Sequence, residues 1–185
     1  MPSIKGTALV MSASIARQTH GEAGLEKVLK ALNEQDRANM VHPLSSEWYP
    51  LSTYVHWFQT EMKELCGGDK AMFMKRVQMG VEQQFKGIYK MFLVLGSPEK
   101  ILQRLSVINN QYFQDLSVSA EILEKGKIKL VYKGLEKGQD IFELAMEAWW
   151  TKALELMGAR DIKMHRDISV NDGKGFTEFL LTWSK

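Results

Sequence analysis

The sequence predicts an α+β fold, an N-terminal helical half followed by a four-stranded antiparallel sheet built as hairpin–helix–hairpin. Three observations carry this reading. Apolar residues recur at helical spacing through the first half of the chain. From Val118 the period drops to two, with Val118, Ala120 and Ile122 alternating with Ser117, Ser119 and Glu121. Between two such alternating stretches, Gln139 to Met157 returns to a helical pattern. The 185 residues suit one domain, with 1–113 as the helical part and 114–185 as the hairpin–helix–hairpin part.

In chain order, Gly6-Thr7 opens a helical stretch that ends before Gly21, and Glu22 to Leu32 continues with Leu25, Val28, Leu29 and Leu32 on one face. His42 to Pro50 reads as a loop, and Pro50 suits a helix start because no amide donor is needed there. Leu51, Tyr54, Val55, Phe58, Met62 and Leu65 form the next apolar stripe, stopped by Gly67-Gly68. Asp69 is the expected N-cap of a long helix from Lys70 to Leu95. Gly80 and Gly87 each cost that helix about 1 kcal/mol against alanine, which suggests close backbone approach to another element or to a ligand. Gly96-Ser97-Pro98-Glu99 ends it, and a further helix is expected from Pro98 to Tyr112.

The first hairpin turns at Lys125-Gly126-Lys127, after which Ile128, Leu130 and Tyr132 face one way. In Gln139 to Met157, Glu143, Glu147, Thr151 and Glu155 make a narrow polar stripe, and nearly all the rest is apolar. Such a helix is buried on more than one side, against the sheet and also against other helices or a second subunit. The last hairpin pairs Ile162, Met164, Ile168 and Val170 with Phe176 to Trp183.

Composition excludes several classes. A net charge of +2 with dispersed lysines and arginines gives no nucleic-acid surface. One cysteine, Cys66, rules out an internal disulfide framework and a multi-cysteine zinc site. The start lacks a secretory pattern, and no apolar run approaches the ~20 residues that span a bilayer, so the expectation is a cytoplasmic protein without membrane insertion.

Catalytic signals are thin. His20, His42, His56 and His165 show no metal-binding spacing, and neither a P-loop, GxGxxG nor GxSxG occurs. The acid pairs Glu143/Glu147 and Glu121/Glu124 read as solvated faces. Cys66 reads either as a buried helix-end residue or as a reactive or acylated thiol. The 11 methionines, with Met72, Met74, Met79 and Met91 on the long helix, read either as core filler or as the wall of a deformable apolar cavity. The cavity candidates are Phe73, Val77, Val81, Phe85, Ile88, Phe92, Leu130 and Tyr132. Trp149 and Trp150 are candidate interface anchors, and Trp48-Tyr49-Pro50 reads as core or interface.

Taken together, Lys5-Gly6, Gly21, the Leu95-Gly96-Ser97-Pro98 break, Ala148-Trp149-Trp150 before Leu154-Glu155-Leu156-Met157-Gly158, and the ending Gly175 to Trp183 resemble one superfamily. It is shared by haem nitric-oxide/oxygen sensors, 4-vinyl reductase-type ligand-binding domains and small subunits of the Golgi transport particle. Within it the chain most resembles a bacterial paralogous family of unassigned role. The resemblance implies the α+β fold above and a ligand-binding role. Haem held in the sensors' manner is not expected. They use a histidine ahead of the first hairpin and a Tyr-x-Ser-x-Arg motif, whereas this chain has no histidine between His56 and His165 and reads Tyr132-Lys133-Gly134-Leu135-Glu136. No cofactor is therefore expected. A cysteine-rich cluster is also beyond a lone Cys66, which remains an analogue of the acylated cysteine of transport-particle subunits.

The resulting expectation is a non-enzymatic regulatory domain that encloses a small hydrophobic molecule or an acyl chain and passes a shift of the Gln139 to Met157 helix to a partner. The alternatives are a ligand-free homodimeric adaptor of the same fold and an enzyme with Cys66 as nucleophile.

Overall fold

The computed structural model describes residues 1–87 and 105–184. Ile88, Tyr89, Met91, Phe92, the Leu95 helix end and the Gly96-Ser97-Pro98-Glu99 break lie outside the described residues. Within them the helices are α1 (Gly6–Ala31), α2 (Glu34–Val41), α3 (Leu51–Cys66), α4 (Lys70–Lys86), α5 (Leu105–Tyr112) and α6 (Asp140–Leu156). Strands β4 (Ser117–Glu124), β5 (Lys127–Lys133), β6 (Arg160–Ile168) and β7 (Phe176–Ser184) form an antiparallel sheet in the order β4-β5-β7-β6. The fold is the expected α+β arrangement, with α6 between the two hairpins.

Alternation along each central strand sets the sheet's two faces. Ile128, Leu130 and Tyr132 of β5 and Thr177, Phe179, Leu181 and Trp183 of β7 are buried. The register places Ile128 opposite Leu181, Leu130 opposite Phe179 and Tyr132 opposite Thr177, so all seven share the helix-covered face. The β4–β5 turn is closed by Gly126 at φ 78°, where a Cβ would lie 2.4 Å from the Trp183 carbonyl oxygen. Only glycine combines that backbone with that approach.

The helical half follows its sequence signals closely. Gly21, at φ 69° and ψ −176°, kinks α1 where a break was expected. Gly67 ends α3 in the left-handed conformation, and the Asp69 side chain accepts from the Met72 amide to cap α4. Gly80 is the expected close approach, since a Cβ there would come within 2.9 Å of Ile15 Cδ1 on α1. Among the described residues a Cβ at Gly87 would meet only the Gln83 and Gln84 carbonyls at ordinary distances; Gly87 is the C-cap of α4, which ends at Lys86, short of the expected Leu95. Met72 and Met79, expected in the core or a cavity wall, are exposed on α4, and Met74 is half-buried.

Four short features had no clear sequence signal. Strand β1 (Ser3–Lys5) pairs with β2 (Trp48–Pro50) and β3 (Phe113–Gln114) in a second sheet that ties the chain start to the loop before α3. Helix α2 is the fourth, and it is fastened to α3 through Asp36. The Asp36 carboxylate accepts from Thr53 Oγ1 at 2.7 Å, from His56 Nδ1 at 2.6 Å and from the Asn33 amide. Burial would raise the acid's pKa, but these three hydrogen bonds outweigh it and hold the carboxyl below its ordinary value.

Glu143 departs from expectation most. It is wholly buried, not solvated. Its oxygens accept from Arg166 Nη1 at 2.7 Å, Ser169 Oγ at 2.8 Å, the Val170 amide at 2.6 Å and Thr177 Oγ1 at 2.5 Å. The first turn of α6 is thereby pinned to the β6–β7 connection. Glu147 is half-buried beside it, and burial raises its pKa; Glu121 and Glu124 are exposed as expected.

Two outcomes follow in denaturant unfolding. Glu143→Ala leaves buried donors without an acceptor and is expected to cost about 3 kcal/mol. Asp36→Asn is expected to cost about 1 to 2 kcal/mol at neutral pH. Because the Asp36 pKa is lowered in the fold, its stabilisation is present above the ordinary carboxylate range and is lost as pH falls through the lowered value. The gap between wild type and Asp36→Asn should therefore close in acid, and a gap that persists there would contradict the assignment.

Candidate functional site

Where α6 meets α1, α4, α5 and the sheet, the side chains leave an apolar pocket of about 100 Å³. Its floor is Ile4 of β1 with Ala8 and Met11 of α1. Leu105, Ile108, Asn109 and Tyr112 of α5 and Phe113 form one wall, and Val118 and Tyr132 of the sheet form another. Tyr54 of α3, Gln84 of α4, and Met146, Trp149 and Trp150 of α6 complete it.

Hydrogen bonds hold most of the polar groups among the described lining residues. Trp150 Nε1 donates to the Tyr132 hydroxyl at 2.7 Å, joining α6 to β5. Trp149 Nε1 donates to Gln84 Oε1 at 2.9 Å, joining α6 to α4. Gln84 Nε2 lies 3.2 Å from the Met11 sulfur, and Asn109 Nδ2 donates to the Leu116 carbonyl at 2.6 Å. Ser12 Oγ donates to the Tyr54 hydroxyl at 3.3 Å. Burial pushes the Tyr132 and Tyr54 phenols upward, so both stay protonated across the physiological range. The Tyr132 oxygen accepts from Trp150, which leaves its own proton available to an acceptor in the pocket.

Of the eight cavity candidates read from sequence, Tyr132 lines this pocket. Phe73, Val77 and Leu130 sit in the main core, and Val81 and Phe85 form a smaller cluster with Ala153. Phe85 backs the pocket wall, its ring 6.2 Å from that of Trp149. Ile88 and Phe92 lie outside the described residues.

Trp149 and Trp150, expected as interface anchors, line the pocket, with Trp150 2% exposed. Beyond the sheet, α6 packs on α4 and α3. Trp48 is half-buried under the Lys5 ammonium, 4.5 Å from its ring centroid. Cys66 is buried at the end of α3, away from the pocket lining, and burial followed by the nearby Glu61 charge pushes its thiol upward.

Tyr54, Gln84 and Asn109 were missed as site residues. Gln84 carried a usable signal, being a polar side chain on the otherwise apolar face of Phe73, Val77, Val81 and Phe85. Asn109 carried none. No histidine lines the pocket among the described residues, and no group of three or more histidine, cysteine, aspartate or glutamate side chains there could hold a metal ion. No helix among them is long and apolar enough to cross a membrane.

No family model and no curated protein sequence matches the chain. Solved structures do. An Fe(II) unliganded H-NOX protein from K. algicida superposes with a TM-score of 0.70 at 12% identity, over 98% of this chain and 97% of that one. An H-NOX protein from S. oneidensis in the Fe(II)NO ligation state gives 0.69 at 13% identity, over 98% and 100%. At these identities the likeness is one of fold, and it runs the length of both chains: this protein has the H-NOX fold.

Proposed function

We propose that the protein is a non-enzymatic regulatory domain that takes a compact apolar molecule in the pocket and reports occupancy through α6. The observation that carries this reading is the position of Trp149 and Trp150. Both stand in the pocket wall, one tethered to α4 and the other to β5. A molecule entering between them must shift α6 against its neighbours, and the Glu143 anchor confines that shift to the half of the helix nearer the pocket.

Size narrows the ligand class. About 100 Å³ is well below the ~300–1,000 Å³ of pockets for drug-sized ligands. It approaches the ~150 Å³ apolar cavity that takes benzene or xenon. A molecule of a few heavy atoms suits it better than an acyl chain, and one acceptor atom could take the Tyr132 proton.

Haem held as the resembling sensors hold it does not suit these residues. The lining contains no histidine among the described residues, and the sequence has none between His56 and His165. The Tyr132 oxygen is already engaged by Trp150. Binding without catalysis is likewise favoured by the inward, protonated setting of Cys66.

Native mass spectrometry of freshly purified full-length protein should show a small extra mass that is lost on denaturation. Xenon, titrated while amide and indole resonances are followed, should shift Trp149, Trp150 and Tyr132 first. Filling the pocket with Ala8→Leu is expected to weaken xenon binding at least ten-fold, or ~1.4 kcal/mol. Xenon shifts elsewhere, or shifts unchanged by Ala8→Leu, would refute the pocket assignment.

A further inference from the structure

Beside the pocket, between α1, α3 and α4, lies an ion pair that the binding reading does not use. Glu61 of α3 is completely buried, and the Arg76 side chain of α4 is 7% exposed. Arg76 Nε lies 2.5 Å from Glu61 Oε1. The approach is close but poorly directed. Neither carboxylate oxygen, nor Arg76 Nε, nor the buried Trp57 indole N–H completes a hydrogen bond of good geometry. Arg76 makes two further contacts. Its Nη2 donates to the Ser12 carbonyl of α1 at 3.0 Å, and its guanidinium carbon lies 6.0 Å from the centroid of the Phe58 ring. Ser12 in turn donates through Oγ to Tyr54, a pocket residue, and Ala8 and Met11 of the pocket floor are on the same helix.

We propose that Glu61 and Arg76 form a proton-operated latch among α1, α3 and α4, whose state reaches the pocket through Ser12 and Tyr54. With Glu61 ionised, the pair draws α4 onto α3. With Glu61 neutral, Arg76 keeps only the Ser12 carbonyl and the Phe58 ring, and α4, with the turn of α1 it holds at Ser12, is drawn less tightly onto α3. The consequence for ligand binding rests on the pocket reading; the latch itself does not.

Buried carboxylates without good donors favour the neutral acid. Here burial pushes Glu61 up to about 7, although the Arg76 charge and the donors of Arg76 and Trp57 beside the carboxylate oppose it. Among the described residues, the ionisable groups facing the pair are Tyr54 and Cys66, both from α3 and both pushed upward by burial, so they keep their protons while Glu61 titrates. α1 contributes the Ser12 carbonyl and α4 contributes Arg76 itself. Because the Glu61 pKa is raised in the fold, its contribution to stability is full below the ordinary carboxylate range and declines as pH rises through about 7.

The test uses the full chain with glutamate labelled at the side-chain carboxyl carbon. One carboxyl resonance, absent in Glu61→Gln, should titrate near 7, and Tyr54 ring signals should follow the same midpoint. If Glu61→Gln fails to fold, Arg76→Lys serves instead, because it should move that midpoint alone. Stability should fall with pH in wild type and stay flatter in Glu61→Gln, which separates Glu61 from Glu147.

Xenon affinity in wild type should differ about five-fold between the two states, a coupling of ordinary size. A Glu61 midpoint in the ordinary range of ~4.3 overturns the latch. Tyr54 signals that do not follow Glu61 overturn its transmission. Absence of xenon binding at every pH would instead remove the pocket reading, with the carboxyl and tyrosine titrations still deciding the latch.

Discussion

Helix α6 has to be covered on opposite sides at once, and the rest of the molecule is arranged to do it. Its buried residues, Ile141, Phe142, Ala145, Ala148, Trp150, Ala153 and Leu154, circle most of the helix. A single sheet covers one stripe of a helix, so α4 and α3 must close over the other. Glu143 is the polar exception on this surface. Burying a carboxylate alone is costly, and the chain meets that cost with four donors from β6, β7 and their connection. The hairpin is therefore tied to α6 by polar bonds as well as by packing.

The pocket is a consequence of the same arrangement. Adjacent residues on a helix point about 100° apart, so Trp149 and Trp150 cannot both lie on the sheet. One turns to Tyr132 and the other to Gln84, with ring planes 80° apart. Two large rigid rings held at right angles leave a wedge between sheet and α4, and the small side chain of Ala8 on α1 does not fill it. The apolar space is thus bordered by the same two rings that tie α6 to the sheet and to α4.

Close by, the helical half buries charge that packing alone does not require. The Glu61 and Arg76 pair sits where α1 approaches α4 closely enough for Gly80 to touch Ile15. A buried pair with incomplete hydrogen bonding is seldom justified by stability. Its partner Ser12 also serves a pocket residue, so the helix carrying the pocket floor is held from both the charged and the apolar side.

Local signals were enough for the sequence to determine the order of the longer helices and of the two hairpins. The period change at Val118, the glycines at 21, 67 and 126, and the Asp69 cap each act within a few residues, and each stands where expected. Strand β1 and helix α2 escaped notice because they are short and are held by distant partners, at Tyr49 and Thr53. The candidate site was hardest to read. Hydrophobic periodicity shows that a residue is buried but not what it meets, so Phe73 and Leu130 looked the same as Tyr132. Glu143 looked solvated because its donors lie 23 to 34 residues away in sequence. Tertiary structure alone decided which buried side chains pack against one another and which border open space, because that choice is made by elements meeting across the fold.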